Sequence, residues 1–276
     1  MAMNHGKTQP SRATDAGSTG STGSACGAPC WVSLTSHGLE AAQRFYGAVL
    51  GWQWRPAGSG DHFRIALADS APVAGIAVLP ALRQTGVAWT PYFAVPDADQ
   101  AAARARERGG TAGVGPLRLP PGRVALLSDR HGATFGIWEG ELFGRWEPRR
   151  RAAPAFITLH TRDAFDAAMF YGGVLDWASD RPGSCEVEYE ADEVLLRSQG
   201  HVVARIESGE SDTAPDPSVR PHWQVTFLVD DVPECARAAR RHGGGVLEEG
   251  EHEAVLRDPD GARFTVISAA GPRLAG

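Results

Sequence analysis

Three of the nine histidines, one amide and a pair of alternating carboxylates are the residues of this 276-residue chain whose type and spacing offer chemistry. His160 shares a strand face with Phe156 and Thr158, because residues two apart in a strand point the same way. Histidine takes up and releases protons near neutral pH, so His160 is the first choice for an acid/base group. His222 and His252 lie near strands of the same C-terminal part and could approach it, which would make a histidine metal site of unconventional spacing. Glu186 and Glu188 alternate on one strand face and offer carboxylates, although solvated strand carboxylates are commoner. Asp61 and His62 are adjacent, so alternation sends them to opposite faces. Cys26 and Cys30 have a metal-like gap but no second pair, and with Cys185 and Cys235 they read as free thiols. No G-x-S-x-G, phosphate-cradling glycine loop or dinucleotide fingerprint stands in the context its chemistry requires.

The elements that must position these residues come in duplicate. Phe45-Tyr-Gly-Ala-Val-Leu-Gly-Trp52 recurs as Phe170-Tyr-Gly-Gly-Val-Leu-Asp-Trp177. Val95-Pro-Asp97, an Ala/Arg-rich helix and Gly109-Gly110 recur as Val229-Asp-Asp231, a similar helix and Gly243-Gly244. Asp129-Arg-His-Gly132 recurs as Asp258-Pro-Asp-Gly261. Order is kept while the offset drifts, so the two copies differ in their loops. Each copy reads strand, helix, three strands, twice over: alternation marks Cys30–Thr35 and Ala155–His160 as strands, and Leu39, Ala42, Phe45, Tyr46, Val49 and Leu50 fall at helical spacing before Gly51. Tyr46 and Tyr171 end amphipathic helices and are expected to anchor them in the core. His131 sits in a turn, and turn chemistry accounts for it.

Composition narrows the function classes. With 42% hydrophobic and 22% charged residues the chain is an ordinary globular one,. A net charge of −6 and no basic stripe argue against nucleic acid as a partner,. No run approaches the roughly 18 apolar residues of a membrane span, and the first residues lack the apolar core of a secretory signal, so a cytoplasmic protein is expected. Residues 1–27 are polar and glycine-rich and read as a disordered tail. Residues 146–154, with two prolines and an arginine triplet, read as a linker between domains at 28–145 and 155–271.

The paired Phe-Tyr helix ends, the helix starts at Asp97 and Asp231, the Gly-Gly ends and the Asp-Pro-Asp-Gly turn resemble the vicinal oxygen chelate superfamily, which holds glyoxalases, bleomycin-resistance proteins and extradiol dioxygenases. The resemblance covers about residues 28–270 and is nearest to tandem members labelled glyoxalase/bleomycin-resistance proteins or hydroxylases. It implies an α+β fold of four βαβββ modules forming two half-barrel sheets around cavities. In metal-dependent relatives the first and last strands of the modules supply the ligands of one divalent ion. Those positions here carry Trp31 and Phe156, Thr90 and Gln224, Gly136 and Thr265. Only Gln224 is a plausible ligand, and one neutral amide holds no divalent ion, so no cofactor is expected.

Alternation then lines the first pocket with Trp31, Ser33, Thr35, Thr90, Tyr92, Gly136 and Trp138. The second receives Phe156, Thr158, His160, Gln224, Thr226, Thr265 and Ile267. Aromatic floors with hydroxyl rims suit a flat organic molecule, although Trp31, Trp138, Phe156 and Ile267 can equally be plain core. The leading expectation is an enzyme that binds an aromatic or polyketide-like metabolite and moves protons, with His160 as base and a threonine or Gln224 orienting an oxygen. The alternatives are sequestration of a small molecule, as in antibiotic self-resistance, and a metal-dependent lyase or dioxygenase with displaced ligands. A monomer or a homodimer is compatible with the tandem chain.

Overall fold

The computed structural model describes residues 27–57, 62–78, 87–180, 184–190, 193–208 and 220–271. The expected tail up to residue 26, with Cys26, lies outside them, as does Asp61. Gly27 is already tied in: its N–H donates to the Ala94 carbonyl at 2.7 Å.

The first half runs β1 (Pro29–Thr35), α1 (Leu39–Leu50), β2 (Gln53–Pro56), β3 (Phe63–Ala68), β4 (Ala71–Ala77), β5 (Ala88–Ala94), α2 (Ala98–Glu107), β6 (Thr111–Leu119), β7 (Gly122–Ser128) and β8 (Thr134–Gly140). The second half runs β9 (Pro154–Thr161), α3 (Ala164–Leu175), β10 (Glu186–Tyr189), β11 (Glu193–Ser198), β12 (His201–Ser208), β13 (His222–Val229), α4 (Val232–Arg241), β14 (Gly245–Glu249), β15 (Glu253–Arg257) and β16 (Arg263–Ser268). Each half is one eight-stranded mixed sheet, ordered β2-β3-β4-β1-β5-β8-β7-β6 and β10-β11-β12-β9-β13-β16-β15-β14. The fold is α+β, neither sheet closes into a barrel, and the four βαβββ modules stand in tandem as the repeats imply.

The local reasons are legible in the residues. Asp97, Asp163 and Asp231 each cap a helix by accepting from the backbone N–H three residues on,. Helix α1 stops at Gly51 and α3 at Asp176, both left-handed, with φ of 74° and 64°,.

The halves pack inner face to inner face, α1 against α4, α2 against α3, and β5 against β13. One continuous core results, holding Val32, Leu34, Phe93 and Phe135 with Ile157, Leu159, Phe227 and Phe264. Its polar seams are paired by the pseudo-twofold. Trp89 Nε1 donates to Tyr46 Oη at 3.0 Å, and that hydroxyl donates to Asp258 of the other half at 3.0 Å. Trp223 donates to Tyr171 at 2.9 Å, which donates to Asp129 at 3.1 Å. The Trp52 and Trp177 indoles each donate across the junction, to the Ala152 and Gly27 carbonyls, at 2.7 Å. The two tyrosines are fully buried core anchors. No helix among the described residues is long and apolar enough to cross a membrane.

Candidate functional site

The outer face of each sheet, turned away from the other half, carries the residues expected to line the pockets. Strand register assembles them. In the first half Trp31 lies beside Tyr92 and Ser33 beside Thr90, while Tyr92 lies beside Gly136 and Ala94 beside Trp138. In the second, Phe156 lies beside Thr226, Thr158 beside Gln224 and His160 beside His222, while Thr226 lies beside Thr265 and Leu228 beside Ile267.

The two faces differ in chemistry. The first is filled by rings. Trp31, Trp138 and Ile65 form a cluster separate from the main core, with Phe63, Tyr92 and Phe143 packed on it. Phe143, from the segment after β8, lies 5.4 Å from Trp31 and 5.2 Å from Trp138, centroid to centroid. Gly75 and Gly136 make room for this: a Cβ at Gly75 would meet the Phe63 ring, and one at Gly136 the Tyr92 ring. The Tyr92 hydroxyl accepts from Ser33 Oγ at 3.1 Å, and burial holds the phenol above its ordinary range,. The buried Trp31 indole N–H has no hydrogen-bond partner among the described residues.

The second face is polar and charged over a small apolar floor of Phe156, Leu228 and Ile267. Thr158, Thr226 and Thr265 are buried, and the Gln224 amide donates to Thr265 Oγ1 at 2.6 Å. His160, with its side chain 37% exposed, stands at the rim. Its Nδ1 lies 3.7 Å from Glu207 Oε2, and its ring is 5.2 Å from that of His222. The pairing of β12 with β9 puts Glu207 beside His160 and Arg205 beside Thr158. The Arg205 guanidinium lies 5.2 Å from the Phe156 ring centroid, and its NH1 is 3.3 and 3.4 Å from the Glu193 carboxylate oxygens.

Arg205, Glu193 and Glu207 join this candidate face although sequence reading passed over them. The available signal was an arginine in the middle of Val202-Val-Ala-Arg-Ile206, at the position where the other half has Gly75. Other candidates are engaged elsewhere. His252 Nδ1 is 3.2 Å from Ser268 Oγ, Glu188 accepts from Arg197 at 2.9 Å, and His131 meets Asp166 across the junction at 3.0 Å. Of the linker arginines, Arg150 pairs with Glu147 and Arg151 with Asp230. A cavity of about 590 Å³ opens beside them, lined by Trp146, Arg149, Gln199 and His201 among others. Its lining includes none of the residues named for the two outer faces, His160 and Glu207 among them.

The metal positions of the family do not fit an ion. Trp31, Phe156 and Gly136 supply no side-chain donor, and the other positions offer only the Thr90 and Thr265 hydroxyls and the Gln224 amide oxygen, a set without a charged or imidazole donor,. Among the described residues no group of three or more His, Cys, Asp or Glu is placed to hold a metal.

Comparison with known proteins agrees with this architecture. The family model for a glyoxalase-like domain matches residues 156–267. The anthracycline biosynthesis protein DnrV of Streptomyces peucetius is 37% identical over 264 residues, covering 87% of this chain and 93% of its own. DauV of Streptomyces sp. strain C5, also an anthracycline biosynthesis protein, is 30% identical with the same coverage. Among solved structures, the Mn(II)-bound glyoxalase from Novosphingobium aromaticivorans superposes with a TM-score of 0.57 at 16% identity, covering 91% of this chain and 83% of its own. A catechol 2,3-dioxygenase superposes with a TM-score of 0.55 at 14% identity, covering 92% and 91%; these two likenesses speak for the fold alone. The duplicated modules, the sheet order and relatives matched along nearly their whole length together make this chain a member of the vicinal oxygen chelate superfamily, built of two glyoxalase-like halves.

Proposed function

We propose that the protein binds a planar, oxygenated aromatic metabolite on the outer face of its second half and transforms it by proton transfer at His160, without the metal centre of metal-dependent relatives. One observation carries this reading. The positions that hold His160, His222, Glu207, Arg205 and Glu193 in the second half hold Thr35, Ala88, Ala77, Gly75 and Phe63 in the first. Both halves fold alike, so the ionisable set is not needed for folding.

The names of the two Streptomyces relatives suggest the substrate class: polycyclic aromatic ketones. In an anthrone-type molecule the ring methylene opposite the carbonyl, conjugated to it through the flanking aromatic rings, bears an acidic hydrogen. His160 takes that proton while the C–H electron pair moves onto the carbonyl oxygen. Returning the proton elsewhere gives isomerisation; attack of the resulting carbanion on a second carbonyl of the same molecule, whose oxygen takes the proton, gives cyclisation, and expulsion of a β-hydroxyl as water gives elimination. The Arg205 guanidinium, itself lying over Phe156, offers a flat cationic floor, and the threonine hydroxyls and Gln224 orient oxygens,. The protein acts as a monomer or a homodimer, in a reducing compartment such as the cytoplasm, the latter a reading supported by the buried cysteines Cys30, Cys185 and Cys235, which form no disulfide,.

Deuterium exchange at C10 of anthrone, followed anaerobically by NMR in D₂O, tests this. Wild type should exceed the buffer rate by at least about 10²-fold, the usual scale of general-base catalysis. His160→Gln should fall to the buffer rate with its affinity for anthrone unchanged within about threefold. Full exchange in His160→Gln removes this residue from the mechanism.

A second reading, sequestration, rests on the ring-filled first face and the unpartnered Trp31 N–H, a donor suited to a ligand carbonyl,. Tight binding of anthrone with exchange at the buffer rate in wild type selects it.

A further inference from the structure

We infer that the second outer face contains a subsite for a carboxylate carried on the ring ligand, with Arg205 as the residue that recognises it. The inference rests on the reading of that face as the ligand site and names the chemistry of one end of the ligand.

Arg205 stands at the centre of the face. It lies between Leu195 of β11 and Thr158 of β9, and Thr158 lies beside Gln224 of β13. Its side chain is only 11% exposed, and its guanidinium lies over the Phe156 ring. A guanidinium fork on an aromatic floor is well matched to a planar, two-oxygen anion. Glu193 is one of its partners, and at 3.3 and 3.4 Å these two contacts are long against the 2.7–2.9 Å usual for charge-assisted hydrogen bonds,. Such a contact is readily exchanged for a better-placed carboxylate.

A structural role explains the pair poorly. Burying a guanidinium with a carboxylate is seldom more stabilising than apolar packing of similar volume. The other half demonstrates the apolar solution at the same register: Gly75 stands where Arg205 does, Phe63 where Glu193 does, and the Phe63 ring lies over the glycine. The fold therefore stands without the ion pair. What the pair adds is a cation beside a buried threonine hydroxyl, next to the rim where His160 stands. A ligand whose carboxylate docks at Arg205 has its ring set beside the guanidinium that covers Phe156 and its far edge directed toward that rim.

Two probes of one shape separate charge from ring stacking: anthraquinone-2-carboxylate and the neutral anthraquinone-2-carboxamide, titrated against tryptophan fluorescence of the full chain. Wild type should bind the acid at least about tenfold more tightly than the amide, the scale of one charge-assisted contact in a partly desolvated site. Arg205→Met should bring the two probes within about twofold by weakening the acid alone, and Arg205→Lys, which keeps the charge and loses the fork, should fall between. Glu193→Gln should tighten the acid by about threefold or more with the amide unchanged, since a competing negative charge is gone. This variant keeps the test decisive if Arg205→Met does not fold. Equal affinity of wild type for acid and amide, an acid preference that survives Arg205→Met, or a Glu193→Gln protein that binds the acid more weakly would each overturn the subsite while leaving the face a ligand site. Failure of both probes to bind removes the subsite together with the reading on which it rests.

Discussion

At the scale of single residues, environment decides which groups can react. Burial pushes the Cys235 thiol up to about 11, and the nearby Asp231 and Glu234 charges add to this. Cys30 is raised further, by burial alone, and Cys185 is buried as well. A thiolate is the reactive form, so these three should resist iodoacetamide at pH 8 in the native protein and react fully once unfolded. Mass spectrometry counts the labels, and more than one per native chain would contradict the burial described here. Asp258 shows a carboxyl raised chiefly by burial, against the pull of its hydrogen bonds from Ala262 and Tyr46. A carboxyl with its folded value above its unfolded one binds its proton first in the folded chain. Stability from this group is therefore gained as pH falls through the folded value and absent above it. Asp258→Asn should lose that contribution to the pH dependence of urea unfolding.

Elements show why the two outer faces diverged while the strands under them did not. Gly136 is required by the Tyr92 ring lying over it, whereas the second half holds Thr265 beside Thr226 at the matching register. Gly136→Thr alone should destabilise by about 1–3 kcal/mol through overpacking, and adding Tyr92→Thr should recover much of it. Equilibrium urea unfolding of the three variants reads the coupling, and strict additivity would contradict the packing described. The same elements mark how far sequence carries. Alternation and the duplicated motifs located every strand and helix that positions the site, because each obeys a local period. His160, Phe156, Thr158, Gln224, Thr226 and Thr265 were legible for that reason. Arg205 and Glu207 were not, because they join the face through the parallel pairing of β12 with β9, a long-range contact with no local period. Phe143 escaped likewise: it follows β8 in the chain and folds back onto Trp31 and Trp138.

Across the whole molecule, a gene duplication has left one core and two unlike exteriors. The core is shared so fully that the halves are not separable units. Tyr46 of the first half bonds Asp258 of the second, Tyr171 of the second bonds Asp129 of the first, and Cys235 Sγ donates to the Val49 carbonyl at 3.2 Å. Tyr46→Phe leaves the buried Trp89 N–H and the Asp258 carboxyl each short of a partner, and should destabilise the chain by about 1–3 kcal/mol in urea unfolding. Tyr171→Phe should do the same, and the pair should add within about 0.5 kcal/mol, since the two networks share no member. A loss under about 0.5 kcal/mol from either would show the junction to be held by apolar packing alone.

With a common core, what distinguishes the halves is what they present outward: rings packed on glycines in the first, a histidine–carboxylate pair and an arginine in the second. The most direct test is a crystal structure of the protein soaked with anthraquinone-2-carboxamide. The predicted result is one molecule per chain on the second outer face, its ring beside the Arg205 guanidinium and its edge within hydrogen-bonding reach of the His160 imidazole. A ring seated instead against Trp31 and Trp138, or a cation gripped on the second face by three protein donors, would contradict it.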